Sequence, residues 1–374
     1  MKAIAVAPGS KKLETIDLPR PRLRGPSDVL VRVLDVGVCG TDREICAFEY
    51  GTPPAGAKHL VIGHESLGEV VEVGPEVTRV RPGDLVVPMV RRPCDVPECR
   101  ACRESRQDFC YTGEFRERGI KEAHGFMTEL VADDERYMNV VPRALRDVGV
   151  LAEPLTIAEK ALRQIDEVQA RLPWMCRHEL GKPAAYCHRA VVLGAGPVGL
   201  LGAMALAATG FAVTVYSRER APNPKAVLVE SFGARYVSSE EATPEQLAAR
   251  VGNIDVVYEA SGASAVSFEL MRVLGTNGIF VFTGVPGRKA PISLDADFLM
   301  KRMVLQNQVL FGTVNADRGA FENAIRHLEE FDARWPEALR ALITGRFPAS
   351  AYEGLLTGRA SGIKNVIELA GGVR

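Results

Sequence analysis

The chain has 374 residues, more than one hydrophobic core usually holds, so we expect two domains. Its hydrophobic share of 47% and charged share of 25% are those of a globular protein and exclude a disordered chain. Because 46 Lys and Arg residues nearly balance 47 Asp and Glu residues, nucleic acid and anionic membranes are unsuitable as main partners.

The first 132 residues have the pattern of a compact, mostly β domain. Short Val-rich runs, such as 28–36 and 67–73, are punctuated by Gly, Pro and Asp. No run approaches the length of a membrane span, and the first residues lack the apolar core of a signal peptide. We therefore expect a cytoplasmic protein that does not enter a membrane.

Four cysteines crowd into one hydrophilic segment of this domain: Cys94, Cys99, Cys102 and Cys110. Four thiolates at such spacing can enclose one tetrahedral zinc and leave no open position, so we predict a structural zinc site. Free thiols, a redox pair and a DNA-binding zinc ribbon are the alternatives. The remaining cysteines, Cys46, Cys176 and Cys187, are interpreted as packing or incidental thiols.

A connecting helix is predicted over 156–168. Its apolar face carries Ile157, Ala161, Leu162, Ile165 and Val168. We assign 161–188 to an irregular connection, because its later part mixes Pro, Trp, His and Cys without a clear period.

Residues 189–217 have the pattern of a βαβ unit, with a Gly-rich turn between the first strand and an Ala-rich helix. Apolar runs at 254–258 and 278–283, separated by helix-like stretches, predict a doubly wound parallel sheet with helices on both faces. The tail carries an amphipathic helix around 321–328 and a possible strand at 365–369.

The Gly-rich turn has the G-x-G-x-x-G spacing of a dinucleotide site, in which backbone approaches a pyrophosphate at a helix N-terminus. The predicted contacts are Gly194, Ala195, Gly196, Pro197, Val198 and Gly199. NAD enzymes usually place an acid at the end of the second strand, but Ser217 stands there, followed by Arg218 and Glu219. Arg218 can pair with a 2′-phosphate, so we predict a preference for NADP, with NAD possibly tolerated because of Glu219. The alternative is a solvated arginine cluster.

A second set of metal-binding side chains is dispersed along the chain: Cys39, His64, Glu65 and Glu153. A thiolate, an imidazole and a carboxylate can hold zinc and leave a position for substrate, as a catalytic site requires. Sequence spacing alone does not pair residues so far apart.

The motifs GVCGTD at 37–42 and GHESLGEVVEVG at 63–74, the four-cysteine segment and GAGPVG at 194–199 occur in one order. In that order they resemble the zinc-dependent medium-chain dehydrogenase/reductase superfamily. The stretches RGIKEAHGF, VYEASG and TVNA are similar to its glucose dehydrogenase branch. Met300 departs from the pattern, because some sugar-oxidising relatives have a histidine near this position.

The resemblance implies a GroES-like β-rich catalytic domain (1–160 and 315–374) and a Rossmann NADP-binding domain (189–314), with the active site between them. It assigns Cys39, His64, Glu65 and Glu153 to one catalytic zinc, with one carboxylate coordinating only in some states. It places Thr41 near the substrate hydroxyl, together with Glu153, and it places further side chains beside the sugar or along the cofactor: Glu114, Asn315, Thr283, Gly284, Val285 and Thr313.

The implied reaction is oxidation of an aldose at C1 to the lactone, with the hydride passing to NADP. Cys39, Thr41, His64 and Glu65 form the catalytic set, and Thr41 relays the hydroxyl proton. The alternatives are a polyol, aminocyclitol or secondary-alcohol dehydrogenase and, in another class, a non-catalytic sensor of zinc and nucleotide. A homo-oligomer, dimer or tetramer, is expected.

Overall fold

The computed structural model describes residues 1–173, 188–287 and 291–369. Its strands are β1 (Lys2–Ala7), β2 (Lys12–Asp17), β3 (Asp28–Gly37), β4 (Leu60–Val61), β5 (Glu65–Val73), β6 (Leu85–Pro88), β7 (Arg91–Arg92), β8 (Arg116–Arg118), β9 (Glu122–Ala123), β10 (Leu130–Asp134), β11 (Met138–Val141), β12 (Arg189–Leu193), β13 (Ala212–Ser217), β14 (Arg235–Ser238), β15 (Val256–Glu259), β16 (Ile279–Phe282), β17 (Val309–Gly312), β18 (Ile343–Pro348) and β19 (Lys364–Glu368).

The α-helices are α1 (Gly40–Cys46), α2 (Arg100–Arg103), α3 (Ala152–Gln169), α4 (Pro197–Ala208), α5 (Pro224–Ser231), α6 (Pro244–Val251), α7 (Ser264–Met271), α8 (Ala296–Leu305), α9 (Arg318–Arg334), α10 (Pro336–Ala341) and α11 (Tyr352–Thr357). Among the helices of the described ranges, none is both long and apolar enough to cross a membrane.

The chain divides into two compact units. Unit 1 comprises Met1–Thr156, Asn315–Glu329 and Ile343–Arg374, and unit 2 comprises Ile157–Val314 and Glu330–Leu342. We predicted that 315–374 belongs as a whole to the first domain, whereas Glu330–Leu342 clusters with unit 2. The reason is local packing within that unit, where the ring of Trp335 lies 5.9 Å from the ring of Phe232.

Unit 1 is built on a seven-stranded sheet in the order β11-β6-β5-β3-β19-β18, with β10 also paired to β3. Valines and isoleucines from these strands form its core, because β-branched side chains fit a pleated surface that is buried. The tail strand β19 pairs antiparallel with β3, Val366 opposite Gly37. The tail strand is therefore part of the sheet of unit 1.

Unit 2 has the Rossmann topology. Its six strands are all parallel in the order β14-β13-β12-β15-β16-β17, which is the doubly wound arrangement that binds dinucleotides at the carboxyl ends of the strands. The predicted strands and the turn between β12 and α4 are present. The predicted mixed α/β fold is therefore confirmed.

The connecting helix predicted over 156–168 is present and begins four residues earlier, since α3 spans Ala152–Gln169. We assigned 161–188 to an irregular connection, but α3 continues to Gln169, because Ala161 and Ile165 on its apolar face are buried. Cys176 and Cys187 lie in 174–187, outside the described residues.

Candidate active site

Three predicted ligands of the catalytic zinc come together in unit 1. Cys39 precedes α1, whereas His64 and Glu65 stand at the start of β5. One ligand atom from each side chain lies within 4.8 Å of the other two. The register explains the meeting, because β3 and β5 are adjacent and Gly37, two residues before Cys39, lies opposite Glu65.

The chemistry of this group fits zinc. His64 is 6% exposed and Glu65 1%, so their polar atoms need a cation or a hydrogen-bond partner. Burial opposes the charge on His64, but Asp42 and Cys39 beside it raise its pKa well above 6.5. The group thus favours a positive charge on His64, and a bound metal ion would supply one in place of the proton.

Asp42 supports two of these ligands and was not singled out in the sequence. One carboxylate oxygen lies 3.3 Å from Nδ1 of His64, and the other accepts a hydrogen bond of 2.9 Å from the backbone N–H of Cys39. The side chain is fully buried. A carboxylate behind a ligating imidazole fixes its tautomer and orientation, which leaves Nε2 for the metal. The signal was its position three residues after Cys39, at the start of a helix, as in a capping box.

Glu153 lies near this group without joining it. It is the second residue of α3, and the set of ligand atoms within 4.8 Å of one another, as far as the described residues show, does not include it. Burial and the nearby carboxylate of Glu65, opposed by the charges of His64 and Lys364, raise the pKa of Glu153 to about 7. Glu65 is thus the carboxylate that the structure places with Cys39 and His64.

The four predicted thiol ligands form a second group. Cys94, Cys99, Cys102 and Cys110 place their sulfur atoms within 4.8 Å of one another, with Cys94 and Cys102 3.5 Å apart and Cys99 and Cys110 3.9 Å apart. Zinc–sulfur bonds of about 2.3 Å in a tetrahedron require sulfur atoms about 3.8 Å apart, so the group fits a closed zinc site.

Local hydrogen bonds favour the thiolate of Cys110. Burial opposes this charge, but the hydroxyl and backbone of Thr112 and the backbone of Gly113 lower the pKa of Cys110 to about 6. Only the thiolate is a zinc ligand, so this lowered pKa suits metal binding at neutral pH.

In unit 2 the Gly-rich turn has the geometry of a dinucleotide site. Gly194 has φ +105°, a conformation that favours glycine. A Cβ on Gly199 would lie 2.1 Å from the carbonyl oxygen of Gly194, so close packing of helix and turn requires glycine. Gly196 is the N-cap of α4 and has no atom within 4 Å of the position of a Cβ, which leaves its backbone open to a ligand.

Two neighbouring loops at the same edge of the sheet are held by Glu259, which the sequence analysis did not single out. Glu259 ends β15 opposite Leu193 of β12, and it is 1% exposed. One carboxylate oxygen accepts hydrogen bonds of 2.7 Å from the backbone N–H groups of Ser261 and Gly262 and from the Ser261 hydroxyl. The other accepts one of 3.2 Å from the N–H of Gly284.

The charged side chains after β13 differ in their pairing. Lys225 donates to Glu219 at 2.8 Å, and Arg220 pairs with Glu240 at 3.2 Å. Arg218 is exposed, and within the described part of the chain its guanidinium has neither an ion pair nor a hydrogen bond. Of the two arginines, Arg218 and Arg220, Arg218 is therefore the one whose charge is available to an anionic ligand.

Comparison with known proteins decides the family. The model described as "Glucose dehydrogenase C-terminus" matches residues 146–369, and that of the "Alcohol dehydrogenase GroES-like domain" matches residues 25–143. The glucose 1-dehydrogenase of Methanocella arvoryzae is 38% identical over 370 residues, 99% of both chains, and that of Thermoproteus tenax is 37% identical over 375 residues, again 99% of both. The chain belongs to the glucose dehydrogenase branch of the zinc-dependent medium-chain dehydrogenase/reductase superfamily.

Solved structures agree with this membership. The glucose dehydrogenase of Haloferax mediterranei, in complex with NADP, Zn and gluconolactone, superposes with a TM-score of 0.87 at 34% identity and covers 100% of both chains. Galactitol-1-phosphate dehydrogenase from Escherichia coli, at 19% identity and a TM-score of 0.78 over 99% of this chain and 100% of that one, shares the fold.

Other residues that the resemblance assigns to this dehydrogenase's site occupy several places. Thr41 lies in the first turn of α1, two residues after Cys39, and Glu114 is exposed in the loop after the cysteine group. Asn315, at φ +60°, donates from Nδ2 to Oε1 of Glu117 at 2.9 Å, and Glu117 in turn pairs with Arg91. Glu117 therefore fixes the amide of Asn315, a link that sequence spacing did not reveal.

The resemblance also assigns cofactor contacts outside the Gly-rich turn. These residues lie in unit 2, except Asn315, which clusters with unit 1. Thr283 follows β16 and donates to the carbonyl of Glu259 at 2.7 Å, and Gly284 is held by the carboxylate of the same residue. Val285 is 73% exposed, and Thr313 follows β17 with its hydroxyl buried.

Lys364 is the remaining site residue that the sequence did not indicate. It begins β19, and its Nζ lies 2.8 Å and 2.6 Å from the two carboxylate oxygens of Glu65. The two residues are 299 positions apart, so no local pattern joins them. Glu65 thus belongs to a buried ion pair as well as to the group, with Cys39 and His64, that could hold a metal ion.

Proposed function

We propose that this chain is a zinc- and NADP-linked dehydrogenase that oxidises an aldose, with glucose as the first candidate, at C1 to the lactone. The observation that carries the proposal is the Cys39–His64–Glu65 group in a chain that matches glucose 1-dehydrogenases over 99% of its length. The Haloferax relative binds NADP, Zn and gluconolactone, which are the cofactor, metal and product that this reaction needs.

Zinc, when bound, supplies a Lewis acid that lowers the pKa of a substrate hydroxyl and so favours departure of the hydride. Cys39, His64 and Glu65 would hold the ion, and Glu153 supports them as a nearby acid. Asp42 orients the imidazole and the thiol-bearing turn. Thr41, at the start of α1, relays the hydroxyl proton toward solvent, a role that its place beside Cys39 supports.

NADP, when bound, accepts the hydride at its nicotinamide. The turn from Gly194 to Gly199 supports binding of the pyrophosphate at the N-terminus of α4. Arg218 supports recognition of the 2′-phosphate, because its charge is not neutralised by a neighbouring acid. Glu219 is paired with Lys225, so its carboxylate is less available to accept a hydrogen bond from a ribose hydroxyl. This pairing supports a preference for NADP over NAD.

The cysteine group is proposed as a closed zinc site with a structural role, since all four positions of a tetrahedron are taken. A homo-oligomer and a cytoplasmic location complete the proposal. Two large apolar side chains of α8 support association, because Val304 is 74% and Leu305 69% exposed. Size-exclusion chromatography with light scattering tests association, and a monomer would contradict it.

The experiment is an NADPH-forming screen of zinc-loaded protein over aldoses, polyols, aminocyclitols and secondary alcohols. We expect turnover with glucose or a related aldose, a lactone product, and higher kcat/KM with NADP than with NAD. Turnover confined to polyols or secondary alcohols would contradict the sugar. Bound metal and cofactor without turnover on any of these compounds would favour a sensor over an enzyme.

A further inference from the structure

The ion pair between Lys364 and Glu65 is unusually complete for one inside a protein. Lys364 is 2% exposed and Glu65 1%. Both carboxylate oxygens accept from the ammonium, at 2.8 Å and 2.6 Å, and Nζ also lies 3.3 Å from the carbonyl oxygen of Val38. An ammonium has three N–H donors, and these three contacts use all of them.

The backbone makes room for this pair at Gly37. This residue lies opposite Glu65 on β5 and opposite Val366 on β19, so it separates the strands that carry the two charges. A Cβ at Gly37 would lie 2.2 Å from Oε2 of Glu65. The carboxylate therefore lies over bare backbone, and a side chain at this position would force Oε2, the oxygen 2.6 Å from Nζ of Lys364, to move.

The same carboxylate belongs to the metal-binding group with Cys39 and His64. An ammonium and a metal dication compete for the lone pairs of one carboxylate and repel each other. Glu65 is therefore a weaker ligand beside Lys364 than it would be alone. A catalytic zinc needs this restraint against coordination through both oxygens, because Cys39, His64 and a bidentate Glu65 together would fill all four positions and leave none for the substrate.

We propose that Lys364 is a positioning residue that keeps Glu65 from coordinating through both oxygens and so keeps a metal position open for the substrate hydroxyl. The role rests on the proposed function for its purpose, since an open position matters only to an enzyme. Its mechanism depends on the contacts among Lys364, Glu65 and Gly37.

The test compares Lys364→Met, which removes the charge at similar length, with Lys364→Arg, which keeps it. Cobalt(II) replaces zinc at the catalytic site while zinc remains on the cysteines. We expect tighter cobalt binding by about tenfold in the Met variant and weaker visible absorption, because released Glu65 raises the coordination number. With glucose, kcat should fall more than KM changes. The Arg variant should keep the absorption of the unaltered protein.

Two further variants keep the test decisive if Lys364→Met does not fold. Gly37→Ala displaces the carboxylate without removing either charge and should give the same loss of absorption. In a Glu65→Gln background, Lys364→Met should change cobalt affinity much less, because the lysine acts mainly through Glu65 and only its direct repulsion of the metal remains. Unchanged absorption and cobalt affinity in both Lys364→Met and Gly37→Ala would overturn the proposal. So would a change in cobalt affinity on Lys364→Met that is as large in the Glu65→Gln background as in the unaltered protein. Cobalt spectra are recorded without sugar or NADP, so an error in the substrate does not affect them.

Discussion

Single residues determine the chemistry of the candidate catalytic site. Whether such a residue could be predicted depends on whether its neighbours in space are also its neighbours in sequence. Cys39 and His64 stand in recognisable motifs, whereas Lys364 reaches Glu65 across 299 positions. A buried lysine at the start of a strand has no sequence pattern of its own, because the pairing of β19 with β3 creates its environment. Asp42 was within a quoted motif, but only the fold shows that it contacts both Cys39 and His64.

Arg218 gives a prediction at this scale. Arg218→Ala should lower kcat/KM for NADP by about tenfold or more and leave kcat/KM for NAD nearly unchanged, because one charge-assisted hydrogen bond to the 2′-phosphate is worth about 1.5–3 kcal/mol. Initial rates with each cofactor at saturating sugar measure the ratio.

Arg220→Ala is the matched control, since Arg220 lies two positions after Arg218 and is already paired with Glu240. It should change the ratio of the two cofactors far less. An NADP/NAD ratio that stays constant in Arg218→Ala would remove Arg218 from cofactor recognition.

At the scale of elements, the strands and the turn of unit 2 followed from local pattern. Buried parallel strands are continuous apolar runs, and a Gly-rich turn between strand and helix has few alternatives, so β12, α4 and β13 were predictable. The end of α3 followed from its apolar face within one residue, whereas its start at Ala152, four residues before the predicted helix, did not. The loops after β15 and β16 depend on Glu259, whose role appears only when the two strands lie side by side.

Glu259→Gln should weaken NADP binding by about tenfold and destabilise unit 2. The carboxylate accepts from four donors, and an amide turns one acceptor into a donor that faces a backbone N–H, at a cost of about 1–3 kcal/mol. Titration of NADP by fluorescence and a denaturant melt measure the two effects.

Glu269→Gln is the matched control for this variant, because Glu269 on α7 forms a solvent-accessible ion pair with Arg272. Exposed pairs contribute little to stability, so this control should retain both affinity and melting point. If Glu259→Gln also retained NADP affinity and melting point, the carboxylate of Glu259 would not be the group that organises the loops after β15 and β16.

At the scale of the whole molecule, each unit contains one complete part of the chemistry. Unit 1 carries the Cys39–His64–Glu65 group and the four-cysteine group, and unit 2 carries the Gly-rich turn with the loops that Glu259 holds. Sequence order identified the two halves, since their motifs do not overlap. It did not show that Glu330–Leu342 returns to unit 2, because the contact of Trp335 with Phe232 joins residues that no periodic pattern links.

The measurement that tests the account most directly is zinc content and NADPH formation from glucose in Cys39→Ser, beside Cys46→Ala as a thiol control in the core of unit 1. We predict two zinc ions per chain in the unaltered protein and in the control. Cys39→Ser should retain one zinc and normal NADP binding while turnover falls by at least about 100-fold, because the remaining ion belongs to the closed cysteine group. Turnover near that of the unaltered protein in Cys39→Ser would contradict the account.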